Sequence, residues 1–506
     1  MTSVPYLGLG GRLASGPSEL LVRSGFSTET AYGPLLHRSL GIVDITHVLA
    51  LVDAGLLDAT GTATLLDALL DLYRLDPSEF PWDPTHGDPY NGREHHLAAR
   101  LGSVAGRLHL GRTRREAERC AFWLATRDSL LRLHHACVGL TSVLARRSVG
   151  LAEAWWADMT YLQPAQVSTF GHYLLSSAHE AERQTDRVRR AREAATGLPV
   201  LAGGVAGTSL PLHRSSYLER LGVPVQVTTT RDAMWATDTL VEVAVSACQA
   251  VLTASRLAED LLVFCSPAFD YIRLHDAHCR ASVHLPQKRN PYALTVLRGG
   301  ASFAIGRVTG VLTTVRTPTA QSDNWLHTYG EVLSMLEYVT VLVSLMAEVV
   351  DHMEVHTERL AERASAGFTD AAERAEGLAV ASGIDYRTAY RRVGALATAA
   401  EQRGEDRFSE ADLSELGIPH ARPDDHAETV GARRVPGGAD PFQVRRSARR
   451  LERRAASRRR WNEREAGHAA TAVAGLLAEG AALAGGYPAA TEPGEGDEVM
   501  SAASWT

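Results

Sequence analysis

Two stretches of this chain are apolar on nearly every side at the length of a long helix. Leu336 to Val355 reads LEYVTVLVSLMAEVVDHMEV, and Thr237 to Phe264 is similar. A surface helix keeps a polar face, so a helix without one has to be enclosed by others in a bundle. Ile45 to Leu57 and Ala117 to Leu144 add apolar residues at three-and-four spacing with polar residues between. Alternating strand patterns are nearly absent, and Val225 to Thr228 is too short to build a sheet. These patterns predict an all-α protein.

Breakers punctuate the helices. Loops are expected at Asp76 to Asn91, Leu198 to Leu212, Leu274 to Pro291, Thr317 to Asp323 and Gly417 to Pro441. The glycine-rich turn within Leu198 to Leu212 implies a close approach of backbone to something else. From Gly485 the composition predicts a disordered tail.

The 506 residues hold about three or four domains' worth of mass. A net charge of −7 argues against a nucleic-acid protein overall but leaves room for a local pocket that binds a small anion. The Arg-rich run from Val444 to Glu465 carries interspersed glutamates and reads as a solvated helix, not a nucleic-acid surface. Five cysteines without repeated spacing make no disulfide framework. Adjacent pairs such as His95-His96 and His134-His135 cannot face one ion from a helix, so neither metal nor cofactor is expected. No basic segment followed by an apolar run opens the chain, and no uninterrupted apolar stretch looks long enough to span a bilayer. A cytoplasmic protein with no membrane partner is the expectation.

Lys288 is the only lysine among 52 cationic side chains. Arginine replaces lysine at little cost on a surface, but not where a compact, mobile ammonium is needed. Lys288 stands in a donor-rich loop, Ser282-Val283-His284-Leu285-Pro286-Gln287-Lys288-Arg289-Asn290-Pro291. Two more segments have that character. His109 to Glu116 places Arg112, Arg114 and Arg115 after a glycine at a helix start, a combination suited to a carboxylate. Thr160 to His172 carries Thr160, Tyr161, Gln163 and Gln166 into a new helix.

Together the three segments resemble the argininosuccinate lyase branch of the aspartase/fumarase superfamily. Ser282, Pro286, Gln287, Lys288, Asn290 and Pro291 match its signature loop, Gly-Ser-Ser-x-Met-Pro-Gln-Lys-x-Asn-Pro. His109, Gly111, Arg112 and Arg114 match His-Thr-Gly-Arg-Ser-Arg-Asn; Thr160, Leu162, Gln163, Ala165 and Gln166 match Tyr-Thr-His-Leu-Gln-x-Ala-Gln-Pro. The resemblance implies a three-domain fold with a central long-helix bundle. We divide the chain into residues 1–110, a bundle domain at 111–360, a small helical domain at 361–465, and an Ala-rich segment with a tail at 466–506. It also implies a homotetramer whose active sites are shared between subunits and bind a dicarboxylate.

The family reaction is an elimination that releases fumarate. By resemblance Ser282 is the base, and Lys288 and Asn290 hold the substrate carboxylate and its developing charge; Arg112, Arg114, Arg115, Thr160, Gln163 and Gln166 line the substrate. A serine needs a cationic, amide-rich pocket to act as a base. The departures are as informative. Tyr161 replaces the family histidine, and Thr295 replaces the glutamate that orients it, so Tyr161 is the candidate acid. Arg115, Val283 and Leu285 also differ from the pattern. The family residues that hold the arginine half align with Ser322, His327 and Gly330, an early aspartate falls near Gly33, and Tyr90 stands where a histidine lies. The expectation is a C–N lyase acting on an N-substituted aspartate or succinyl compound, in either direction, and not housekeeping argininosuccinate cleavage. The alternatives are a non-catalytic, crystallin-like homotetramer, elimination of nitrite, hydrazine or hydroxide, and cycloisomerisation.

Overall fold

The computed structural model describes residues 12–224, 229–316, 325, 327–417 and 426–485. Ser322, the Val225 to Thr228 stretch and the tail expected to be disordered lie outside them. The described chain is mostly helix. Helices α1 (Gly33–Asp53), α2 (Ala59–Arg74) and α3 (Pro89–Leu101) form an N-terminal layer. The bundle follows: α4 (Arg114–Gly150), α5 (Phe170–Ala194), α6 (Asp238–Phe264), α7 (Tyr292–Thr314) and α8 (Thr328–His352). Two shorter helices, α9 (Ala371–Ser382) and α10 (Tyr386–Gln402), lead to α11 (Pro441–Leu483).

The apolar stretches build the core but are not enclosed on every side, since Val245 of α6 and Tyr338 and Val341 of α8 are exposed. Leu336, Val339, Leu342, Val343, Met346, Val349 and Val350 of α8 are buried with Val243, Ala247, Val251, Ala254 and Leu261 of α6 in one continuous core. At about 1.5 Å per residue, the 37-residue α4 runs the length of the bundle and packs against α5, α8 and α11. Its start is fixed by the Thr113 hydroxyl, which accepts from Glu116 N–H. The start of α5 is fixed the same way by Thr169 and His172 N–H, at 3.0 Å. Separate small cores lie under α2 in the N-terminal layer and between α9 and α10.

Two sequence expectations need correction. The 43-residue α11 runs through the division placed at 465, because nothing between Asn462 and Leu483 breaks it. Nor is it merely solvated. Val444, Ala448, Leu451 and Ala455 are buried, Arg458 pairs with Glu182 and Asp186 of α5 at 2.8 and 2.9 Å, and Arg192 pairs with Glu465. Second, α1, α6 and α8 are long and apolar enough to cross a bilayer by length and composition alone. Their apolar windows are 78, 61 and 50 % buried against the rest of this protein.

Among the described residues, three two-stranded ladders interrupt the all-α pattern. The largest, missed in the sequence, is an antiparallel hairpin of β1 (Trp155–Thr160) and β2 (Gln163–Thr169), with Thr160 opposite Gln163. Only Tyr161 and Leu162 join the strands, both in the left-handed region at φ 56° and 57°. Such a turn is normally made by Asn-Gly or Gly-Gly, so neither the turn nor the strands announced themselves. Another ladder matters for the site: Arg280↔Asn290 and Ala281↔Arg289 close the base of the loop that holds Lys288.

Candidate active site

The first motif segment is built into the fold. Gly111 (φ +71°) turns the chain where a Cβ would lie 2.7 Å from Leu210. Arg112 is 4 % exposed, and its guanidinium donates to Asp44 (2.7 Å), Tyr90 Oη (3.1 Å) and Val43 O (3.2 Å). Asp44 also receives Arg93, itself 1 % exposed, at 3.3 Å. Arg112 therefore does not present its cation to a ligand, contrary to its assignment from sequence: it neutralises a buried aspartate. Tyr90, in place of the family histidine, completes this cluster. Arg114 pairs with Asp88 (3.0 Å), and Arg115 bridges Glu29 (2.7 Å) and Glu118 (3.0 Å). Burial, reinforced by the nearby Asp88 carboxylate, raises the Glu118 carboxyl above the usual carboxylate range, against the pull of Arg115 and Arg114. Arg115 remains one-fifth exposed and Arg114 more so, but both spend charge on internal carboxylates.

The glycine-rich turn finds its partner here. Glu116 accepts from Leu201 N–H and Gly203 N–H, each at 2.8 Å, and burial raises its carboxyl to about 7. Gly203 (φ +57°) is packed so closely that a Cβ would lie 2.6 Å from Gly207 O. This is the close backbone approach expected from sequence, toward a structural glutamate and the turn itself.

The second segment is the hairpin tip. Thr160, Tyr161, Gln163 and Gln166 are all exposed, and Tyr161 is 98 % so. The Gln166 amide donates to Glu373 of α9 at 3.5 Å; Glu373 also pairs with Arg433. Leu162 and Tyr161 hold a backbone conformation that costs an L-residue about 1–2 kcal/mol. A phenol held outward on a strained turn belongs more readily to a site than to a core.

The third segment, Ser282 to Lys288, bulges from its two-residue ladder. Its base is pinned by Arg289, which donates to Asp276 (2.8 Å) and to Leu274 O, and by Asn290, whose amide donates to Arg280 O (3.0 Å). Asn290 thus spends part of its donor capacity on the loop. Ser282 Oγ accepts from Leu285 N–H at 3.0 Å, a bond that favours negative charge on the oxygen. Lys288 is exposed, and among the described residues no ion pair involves its side chain. Val283 and Leu285 are exposed beside it. The donor set is hydroxyl, amide and ammonium, which suits a carboxylate.

Two positions aligned with, or near, the family's amine-recognition residues are covered by the protein's own rings. An ideal Cβ on Gly330, aligned with a family lysine, would lie 1.8 Å from the Tyr32 ring. One on Gly33, near the family aspartate, would lie 2.5 Å from the Trp82 ring. Tyr32 is tied down by a bond from its hydroxyl to Glu331 (3.2 Å). His327 is exposed just ahead of α8.

None of the described hydrogen bonds or ion pairs joins the three motif segments to one another. A cleft of about 210 Å³ lined by Trp123, Thr196, Asp232 and Thr239 includes none of their residues.

A family profile described as Lyase matches residues 79–306. The chain is 32 % identical to the argininosuccinate lyase of Mycolicibacterium smegmatis over 451 residues, which cover 86 % of this chain and 94 % of that one. It is 30 % identical to that of Corynebacterium glutamicum over 412 residues, 81 % and 86 % of the two chains. The chain belongs to the aspartase/fumarase superfamily, in its argininosuccinate lyase-like branch. The fold is that of an EDDS lyase variant with bound fumarate, at a TM-score of 0.80 and 22 % identity over 93 % of this chain and 96 % of the other. A 3-carboxy-cis,cis-muconate lactonizing enzyme from Pseudomonas putida shares it at 0.63 and 19 %, over 88 % and 100 %. The activity that follows at this level is a carbon–nitrogen lyase.

Proposed function

We propose that this enzyme cleaves the C–N bond of an N-substituted aspartate that is not argininosuccinate, releasing fumarate, or runs the reverse addition. The observation that carries the specificity is the pair of glycines, Gly330 and Gly33, each covered by an aromatic ring where a guanidinium-holding side chain would stand. A pocket so filled suits a smaller or less basic amine.

Ser282 takes the proton from the carbon beside the retained carboxylate. The resulting charge spreads onto that carboxylate, where Lys288 holds it more tightly than in the ground state. The C–N bond then breaks, its electron pair goes to nitrogen, and a proton from Tyr161 or solvent completes the amine. A phenol with a free pKa of about 10 is a weaker acid than imidazolium, so a leaving amine that needs less assistance fits this site better. Thr160, Gln163 and Gln166 supply amide and hydroxyl contacts from the hairpin, with Arg114 at its edge.

The working unit we propose is a soluble, cytoplasmic homotetramer. Phe303, Ile305 and Leu312 of α7 and Tyr338 and Val341 of α8 are exposed apolar residues on the bundle. A neighbouring subunit would cover them and bring a second chain's loop or hairpin to each site.

The test is fumarate release, followed by its ultraviolet absorbance, across a panel of N-substituted aspartates that includes argininosuccinate. The proposal expects one or more members to be turned over at least tenfold faster than argininosuccinate. Equal or better turnover of argininosuccinate contradicts it, and silence across the panel favours the crystallin-like reading.

A further inference from the structure

Beside the signature loop, three side chains from two elements converge without a role in the elimination. His278 closes a short turn, Asp276–His278, two residues before the ladder that begins at Arg280. Glu348 and His352 lie four apart on the last turns of α8, and so share a face. One potential ligand atom from each of the three lies within 4.8 Å of the other two.

His278 is 5 % exposed, yet among the described residues neither ring nitrogen has a hydrogen-bond partner. Buried imidazoles are nearly always satisfied, so this one lacks something. Its Nε2 stands 3.5 Å from Glu348 Oε1. That is long for a charge-assisted hydrogen bond, but two ligands each about 2.1 Å from one tetrahedral ion stand about 3.4 Å apart. The His352 ring is already oriented: Nδ1 donates to Glu348 O at 2.9 Å, leaving Nε2 with its lone pair. A backbone bond of this kind is the usual support for a ligating histidine. A fourth ring, His275, lies with its centroid 5.9 Å from that of His352 and 6.2 Å from that of His278. Its Nδ1 accepts from Ala277 N–H at 3.2 Å, which leaves Nε2 as its available nitrogen.

We propose that His278, Glu348 and His352 bind one divalent transition-metal ion, with His275 or water as fourth ligand, and that the ion ties the base of the Ser282–Lys288 loop to the end of α8. Two or three imidazoles and one carboxylate select zinc, cobalt, nickel or copper over magnesium or calcium. The expectation from sequence of no metal looked for ligands close together in one segment. Here the third ligand comes from a distant turn, which only the fold brings up. The site is separate from the elimination residues, and its test does not depend on the substrate.

The experiment uses untagged full-length protein stripped with chelator and titrated with Zn²⁺ by calorimetry, then with Co²⁺ by visible absorption. The expected result is one ion per chain, a tetrahedral cobalt spectrum and a raised Tm. Glu348→Gln and His352→Ala each weaken Zn²⁺ binding by on the order of 100-fold, while His179→Ala on α5 leaves it unchanged. Replacing the buried His278 can unfold the chain, so the test rests on the two exposed ligands. No saturable binding, or binding that survives both Glu348→Gln and His352→Ala, overturns the proposal.

Discussion

The arginines at 112–115 and the lysine at 288 are all cations in motifs shared with one family, yet the fold treats them in opposite ways. Arg112 is sealed against Asp44, Tyr90 and a backbone carbonyl. Arg114 and Arg115 answer to Asp88, Glu29 and Glu118. Lys288 stands in solvent on a loop whose own bonds hold the backbone and leave the ammonium alone. A matched motif can thus be spent on internal ion pairs in one place and left exposed in another. Which of the two occurs depends on the carboxylates that surround it.

The sharpest way to break this contrast is Arg112→Ala. It strands Asp44 in the core beside Arg93 and should cost about 3–5 kcal/mol, read by denaturant unfolding. A loss of activity with no loss of stability would return Arg112 to the substrate. Lys288→Met should do the reverse, lowering kcat/KM by about 10²–10³-fold while the Tm stays put. At the hairpin tip, Leu162→Gly relieves a positive φ and should stabilise the protein by about 1 kcal/mol, seen as a higher Tm.

A smaller effect concerns pH. Burial lowers the His134 imidazole from 6.5 to about 4, even though its Nδ1 donates to Asn462 at 2.9 Å. Between about pH 6.5 and 4 the unfolded chain holds a proton that the folded chain refuses, so stability falls on acidification through that window. His134→Gln should flatten this part of the Tm–pH curve. An unchanged slope would assign the acid sensitivity elsewhere, His37 and His47 being other imidazoles whose pKa burial lowers.

The long helices were legible because a long, predominantly apolar stretch leaves a clear composition signature: Thr237 to Phe264 became Asp238–Phe264 almost residue for residue. The signature loop was legible as a loop from its own ten residues. What stayed hidden depends on partners far along the chain. Arg112 meets Asp44 and Tyr90, His278 meets Glu348 and His352, and no local pattern announces either meeting. The β1–β2 hairpin was hidden for another reason, since its turn is made by Tyr161 and Leu162 without a glycine. The glycines at 33 and 330 were visible as departures, but only the rings of Trp82 and Tyr32 show that the space they vacate is taken.

The central claim is that the elimination half of the site survives around Ser282 and Lys288. Its most direct test is Ser282→Ala, assayed for fumarate release on whichever N-substituted aspartate the wild-type enzyme cleaves best, with Tm measured in parallel. The account predicts a fall in kcat of about 10²–10⁴-fold at unchanged Tm. Activity within a few-fold of wild type would contradict it.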